Sequence, residues 1–139
     1  MVELKDNVLD LDTYLGLRAS VGWKVLKDEQ AVRAIKNSLF TVTAYIDEKP
    51  VGMGRIVGDG SVICYVQDLV VHPMYQKLGV GGMLMNRLVD FVENSKEPDS
   101  EIMMCLMCAK GREPFYKKYG FIARPTDNLG PGMIQYIKN

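Results

Sequence analysis

The stretch Cys64-Tyr65-Val66-Gln67-Asp68-Leu69-Val70-Val71-His72-Pro73-Met74-Tyr75-Gln76-Lys77-Leu78-Gly79-Val80-Gly81-Gly82-Met83-Leu84 decides how this chain folds. Its first half is rich in β-branched and aromatic residues, which predicts a mostly buried strand, and Pro73, lacking a backbone N–H, ends the ladder. A glycine-rich turn follows. From Met83 onward Leu84, Leu88, Phe91 and Val92 recur at helical spacing, which predicts a helix over 79–93. Strand, turn and helix in this order bring the first helical amides to the end of a sheet, where unpaired N–H groups and aligned peptide dipoles attract an anion. Gly79, Gly81 and Gly82 carry no side chain to keep a phosphate from the backbone of residues 77–82, and Gln76 and Lys77 add side-chain donors.

Two commoner phosphate motifs do not fit. A Walker A loop needs Lys and Ser or Thr after its last glycine, whereas Gly82 is followed by Met83 and Leu84. A dinucleotide fingerprint opening at Gly79 needs glycine where Leu84 stands. The segment Gln76-Lys77-Leu78-Gly79-Val80-Gly81, preceded by Gln67-Asp68-Leu69-Val70-Val71-His72-Pro73, instead resembles the Gln/Arg-x-x-Gly-x-Gly/Ala signature of the GNAT superfamily of acetyl-CoA-dependent N-acetyltransferases. A second segment, Pro114-Phe115-Tyr116-Lys117-Lys118-Tyr119-Gly120-Phe121, is similar to the Phe-Tyr-x-x-x-Gly-Phe segment of that family. Neither motif is specific alone. The two in this order are, over residues 61–122.

Length and charge bound the rest. A chain of 139 residues suits one domain, residues 1–139, that buries about two-thirds of its unfolded surface. The 17 basic and 17 acidic residues cancel, so no overall field draws the chain to nucleic acid or an anionic membrane. No apolar run reaches the roughly 20 residues of a membrane span, and Met1-Val2-Glu3-Leu4-Lys5-Asp6 lacks the layout of a signal peptide; the expectation is a cytoplasmic protein. The three cysteines are an odd number, which suits a reducing compartment. Cys105 and Cys108 form a Cys-x-x-Cys, but only Cys64 and His72 remain as further soft ligands, so no metal is expected. The run from Ile102 to Cys108 predicts a buried strand with both cysteines in the core.

Taken in order, Leu9, Leu11, Tyr14, Leu15 and Leu17 predict a first helix capped by Asp10 or Asp12 and ending near Ser20-Val21-Gly22-Trp23. A second begins at Asp28, whose carboxylate is expected to cap it, and runs through Ala31, Val32 and Ile35 toward Leu39. Phe40 to Ile46 and Val51 to Val57 alternate as hairpin partners about the turn Asp47-Glu48-Lys49, and Gly58-Asp59-Gly60 turns into the central strand. After a polar connector over 94–100 come the strand at 101–108, a short helix from Gly111 or Arg112, and Gly120 as its left-handed terminator. Phe121 to Arg124 and Met133 to Ile137 are expected to return to the sheet around a loop from Pro125 to Gly132. The predicted class is α/β in the broad sense, an α+β mixed sheet, mostly antiparallel and flanked by helices, which the resemblance identifies as the GNAT-like acyl-CoA N-acyltransferase fold.

The resemblance also implies a chemistry. Acetyl-CoA would set its pyrophosphate on Lys77, Leu78, Gly79, Val80, Gly81 and Gly82, with Gln76 alongside, and its pantetheine arm against backbone groups of Leu69 and Val71. An N–H at Leu69 or Val70 would face the thioester oxygen. Tyr116 matches the position of the tyrosine that protonates the departing thiolate in many members. Many members carry a glutamate where this chain has Gln67; Asp68 remains a carboxylate, though strand alternation turns it to the other face unless a β-bulge re-aims it, and the alternatives are water relayed to Asp68 or Glu101, or no protein base at all. The connection between the first two helices walls the acceptor pocket in the family, which makes Arg18 and Trp23 candidates for contact with a small-molecule or peptide amine; homodimers are common among members. The competing expectation is a non-catalytic acyl-CoA sensor, motivated by Gln67.

Overall fold

The computed structural model describes residues 1–138. The elements run β1 (Val2–Asp6), α1 (Leu11–Ser20), α2 (Asp28–Lys36), β2 (Phe40–Ile46), β3 (Lys49–Gly58), β4 (Ile63–Val71), a 3-10 turn (Pro73–Tyr75), α3 (Val80–Ser95), β5 (Met103–Leu106) and α4 (Glu113–Lys117). The five strands form one sheet in the order β1-β2-β3-β4-β5, and β1 through β4 pair antiparallel. The chain forms two compact units, Met1–Cys105 and the residues from Leu106 onward.

Alternation along β3 explains why the first unit has a helix layer on each face. Met53 and Val70 point to one side and join Leu9, just ahead of α1, and Tyr14, Leu17 and Ala31, the buried residues that α1 and α2 bring to the sheet. The residues on either side of Met53 point the other way, and both are glycine. At Gly54 an added Cβ would stand 2.9 Å from Leu88 Cδ1, and at Gly52 it would meet Val70 O at 3.0 Å and Leu84 Cδ1 at 3.1 Å. Hence α3 lies close on this face because β3 presents no side chains there. Gly54→Ala should therefore destabilise the chain by about 1–3 kcal/mol through overpacking, read as a lower midpoint in urea with unchanged slope.

Local signals set the element ends. The Asp10 carboxylate accepts from Thr13 N at 2.8 Å and caps α1 as expected. Asp47 and Glu48 both take positive φ, 49° and 64°, giving the two-residue turn whose twist matches the β2–β3 hairpin. Asp28 does not cap α2. It is the first helical residue, the cap position is Lys27, and α2 stops at Lys36, short of Leu39. A carboxylate in the first turn still favours the helix through the dipole. β1 was not predicted, because Val-Glu-Leu-Lys-Asp is short and mostly charged; it forms as the edge strand paired to β2.

The strand at 101–108 is shorter than predicted, spanning Met103–Leu106, and Cys108 is exposed and Cys105 half-buried rather than in the core. In the second unit, α4 ends as expected: Phe121 N–H donates to Tyr116 O and Gly120 N–H to Lys117 O, with Gly120 at φ 88°. Neither Phe121 to Arg124 nor Met133 to Ile137 is a strand. An apolar alternating run becomes a strand only where an edge pairs with it, and among the described residues no strand follows β5.

Candidate functional site

β4 carries the site, and one irregularity shapes it. Arg55 on β3 faces Asp68, but the next residue, Ile56, faces Val66, so Gln67 is an extra residue in β4. This is a β-bulge at the strand centre, where bulges re-aim side chains. Gln67 is exposed and Asp68 is 1 % exposed.

Asp68 is held by three donors. Its Oδ2 accepts from Arg55 Nε at 2.7 Å and from the Tyr14 hydroxyl at 3.0 Å, and its Oδ1 accepts from Arg18 Nη1 at 3.3 Å. The guanidiniums reach further. Arg55 Nη1 donates to Ala34 O and Ser38 Oγ, tying β3 to the end of α2, and Arg18 Nη2 donates to Lys24 O at 2.9 Å. Arg18 also lies over the rings of Tyr14 and Trp23, 5.6 and 5.4 Å from their centroids. Burial, reinforced by the negative charge of Asp68, pushes the Tyr14 phenol above its ordinary pKa, so it stays a donor. A base needs a lone pair facing the proton it takes, and this carboxylate faces two guanidiniums and a phenol inside the fold.

The arrangement brings together Arg18, Trp23 and Asp68, all named from the sequence, with Tyr14 and Arg55, which were not. Arg55 had a signal. It is the only charge between Val51 and Val57, in a hairpin whose register sets it opposite Asp68. Tyr14 looked like an ordinary apolar helix position.

Beyond Val71 the chain prepares a turn. His72 Nδ1 accepts from Met74 N at 3.1 Å and starts the 3-10 turn, and Gln76 Nε2 donates to Val71 O at 3.0 Å. Gln76 is thus engaged with the end of β4, a use of its amide that the sequence did not anticipate. Lys77 and Gly79 both adopt left-handed φ, 66° and 84°, on either side of Leu78, and all three are exposed. The first bond of α3 is Met83 N–H to Gly79 O, so the amides of Val80 and Gly81 precede the helical ladder. An added Cβ at Gly79 would meet nothing within 4 Å, so its conformation rather than crowding calls for glycine. A sixteen-residue helix stands behind these amides. The turn fits a diphosphate.

β5 is four residues long against nine in β4, and the two begin together where Met103 N–H meets Val62 O. At about 3.3 Å per residue β5 spans less than half of β4, leaving the stretch that holds Leu69, Val70 and Val71 with no partner strand on that edge among the described residues. A depression of about 350 Å³ lined by Asp12, Thr13, Gly16, Leu17, Pro50 and His72 includes none of the predicted site residues.

Tyr116 belongs to the second unit, on α4. Its ring packs edge-on against Phe115 and Phe121 at 5.1 and 6.0 Å. Burial raises its pKa above the ordinary value, Cys108 adds to this, and Arg112 opposes it, so the phenol is protonated at neutral pH.

The site as a whole is a bulged antiparallel strand running into a left-handed turn and a helix N-terminus. Residues 12–131 match the acetyltransferase (GNAT) domain family, and the chain belongs to it and is an acyltransferase. It is 28 % identical over 124 residues, 86 % of this chain and 67 % of the relative, to an uncharacterized N-acetyltransferase, ycf52-like, of Prochlorococcus marinus. A probable acetyltransferase of meticillin-resistant Staphylococcus aureus shares its structure with TM-score 0.85 and 29 % identity over the whole of both chains. A PaiA N-acetyltransferase of Thermoplasma acidophilum, solved in complex with coenzyme A, shares the fold with TM-score 0.63 and 18 % identity over 93 % of this chain and 94 % of that one.

Proposed function

We propose that this chain transfers the acetyl group of acetyl-CoA to a primary amine by direct attack within a ternary complex. The observation that carries the reading is the pair of left-handed residues, Lys77 and Gly79, ahead of α3 at the end of a strand with an open edge. The amides of residues 77–82 would hold the diphosphate, with the Lys77 ammonium nearby, and backbone groups of Leu69 and Val71 would hold the pantetheine arm. That a coenzyme A complex exists for a protein of this fold supports the assignment.

Acetyl-CoA supplies an activated acetyl thioester. The neutral amine forms the new C–N bond at the carbonyl carbon, and a backbone N–H at Leu69 or Val70 stabilises the charge that develops on oxygen. The Tyr116 hydroxyl would give its proton to the departing thiolate as the C–S bond is lost and regain one from solvent, to which the amine nitrogen would release its own. No carboxylate is needed at Gln67 for these steps. Asp68 acts as a positioning group: it fixes Arg18, and Arg18 fixes Lys24 and Trp23 on the connection that walls the acceptor side. The acceptor is a small-molecule or peptide amine that contacts Arg18 and Trp23. Residues 1–139 would work as one transferase domain, in a reducing compartment such as the cytoplasm, given three free cysteines.

Coenzyme A at about 100 times its dissociation constant should add about 2.7 kcal/mol of stability, read as a raised Tm. No shift would remove the cofactor assignment. A shift without thiol release from acetyl-CoA, across a panel of amines, would favour the non-catalytic sensor.

A further inference from the structure

Two guanidiniums share one carboxylate in the first unit. Arg55 and Arg18, with side chains 7 and 12 % exposed, both pair with Asp68, and among the described residues no other carboxylate pairs with either. The cluster therefore keeps one positive charge in excess, largely withdrawn from water, and a charge so placed calls for an anion.

The donors say where that anion belongs. Arg55 turns Nη1 to Ala34 O and Ser38 Oγ, within the fold. Arg18 gives Nη1 to Asp68 and Nη2 to Lys24 O, a neutral carbonyl on an exposed residue. Its Nε is shielded from solvent and has no hydrogen-bond partner, the only buried side-chain nitrogen so left among the described residues. Nε and Nη2 present two parallel, coplanar N–H groups on one edge of a guanidinium, the fork that a planar carboxylate meets with both oxygens. On Arg18 that edge holds one neutral oxygen where two charged ones fit. The cover over it is the α1–α2 connection, residues 21–27, which contains no helix or strand. Trp23 on this connection has its ring 5.4 Å from the guanidinium carbon.

We propose that Arg18 is a specificity-determining residue whose Nε–Nη2 edge receives a carboxylate carried by the acceptor, displacing the Lys24 carbonyl, so that the favoured acceptors are amino acids and other amines bearing a carboxylate. Turnover of such acceptors rests on the transfer reading above, whereas their binding does not. The carboxamide of the same amine is the discriminating comparison. It matches the carboxylate in shape, carries no charge, and turns an NH2 group toward one of the two donors.

Trp23 is the only tryptophan in the chain, so its emission reports this site. Glycine, β-alanine and γ-aminobutyrate, titrated into the full chain without coenzyme, should shift that emission saturably. The best of the three should bind at least about tenfold more tightly than its carboxamide and than aminomethylphosphonate, and KM with acetyl-CoA present should follow the same order. Arg18→Lys keeps a positive charge but has no fork, so its preference for carboxylate over carboxamide should fall to about twofold or less. A purely structural role would change both members of a pair alike. If the lysine variant does not fold, the wild-type titrations decide. Saturable shifts by the carboxylates with no thiol release from any amine would remove acetyl transfer and leave the carboxylate site standing. Thiol release with carboxylate and carboxamide equal, a phosphonate preferred to every carboxylate, or the full preference kept in Arg18→Lys would each overturn the proposal.

Discussion

Tyr116→Phe should lower kcat about a hundredfold or more while leaving the dissociation constant of coenzyme A unchanged, because a general acid contributes about 10²–10⁴ and the phenyl ring preserves the packing. The ring contacts with Phe115 and Phe121 do not involve the hydroxyl, so the variant keeps α4 intact. The pH profile separates acid catalysis from packing. A proton donor works only while protonated, and burial raises the phenol above its ordinary value, so wild-type activity should persist as pH rises through 10 and fall only beyond. In the phenylalanine variant that alkaline limb disappears, and the residual rate follows the amine alone. Full turnover in Tyr116→Phe would remove the assigned acid.

Asp68→Ala should cost about 3–5 kcal/mol of unfolding free energy, the second large effect. The carboxylate is the partner of two guanidiniums and a buried phenol, and its loss strands two positive charges, one on a side chain 7 % exposed and one 12 % exposed. Denaturant unfolding measures it. A pure catalytic base would show the opposite pattern, with activity lost and stability kept. Because Asp68 holds Arg18, a milder companion, Arg18→Lys, should raise KM for the amine more than it lowers kcat if the proposed acceptor side is right: lysine has no planar fork to reach Asp68 and Lys24 O together. An unchanged KM would detach Arg18 from the acceptor side.

Much of this was readable from the residues. Asp10 capped α1 and Gly120 closed α4 because capping and left-handed termination depend on one or two side chains near in sequence. The glycine-lined turn before α3 was legible for the same reason, and the family match over residues 12–131 rests on a stretch that includes it. Asp68 was named from the sequence, but its partners were not. Its role depended on Arg55, Arg18 and Tyr14, which lie 13, 50 and 54 positions away in the chain. Strand composition likewise predicted Met133 to Ile137, but whether such a run pairs depends on an edge being there to receive it.

The sequence by itself determined the order of strand, turn and helix, and the glycines that let α3 sit against β3 and open its amides. These follow from the conformational freedom and chemistry of single residues and their near neighbours. Only the tertiary structure decided that Asp68 is buried against Arg55, Arg18 and Tyr14, and that no strand follows β5 among the described residues. Burial and pairing are made by segments remote in the chain, and a carboxylate changes its function when two guanidiniums arrive from elsewhere.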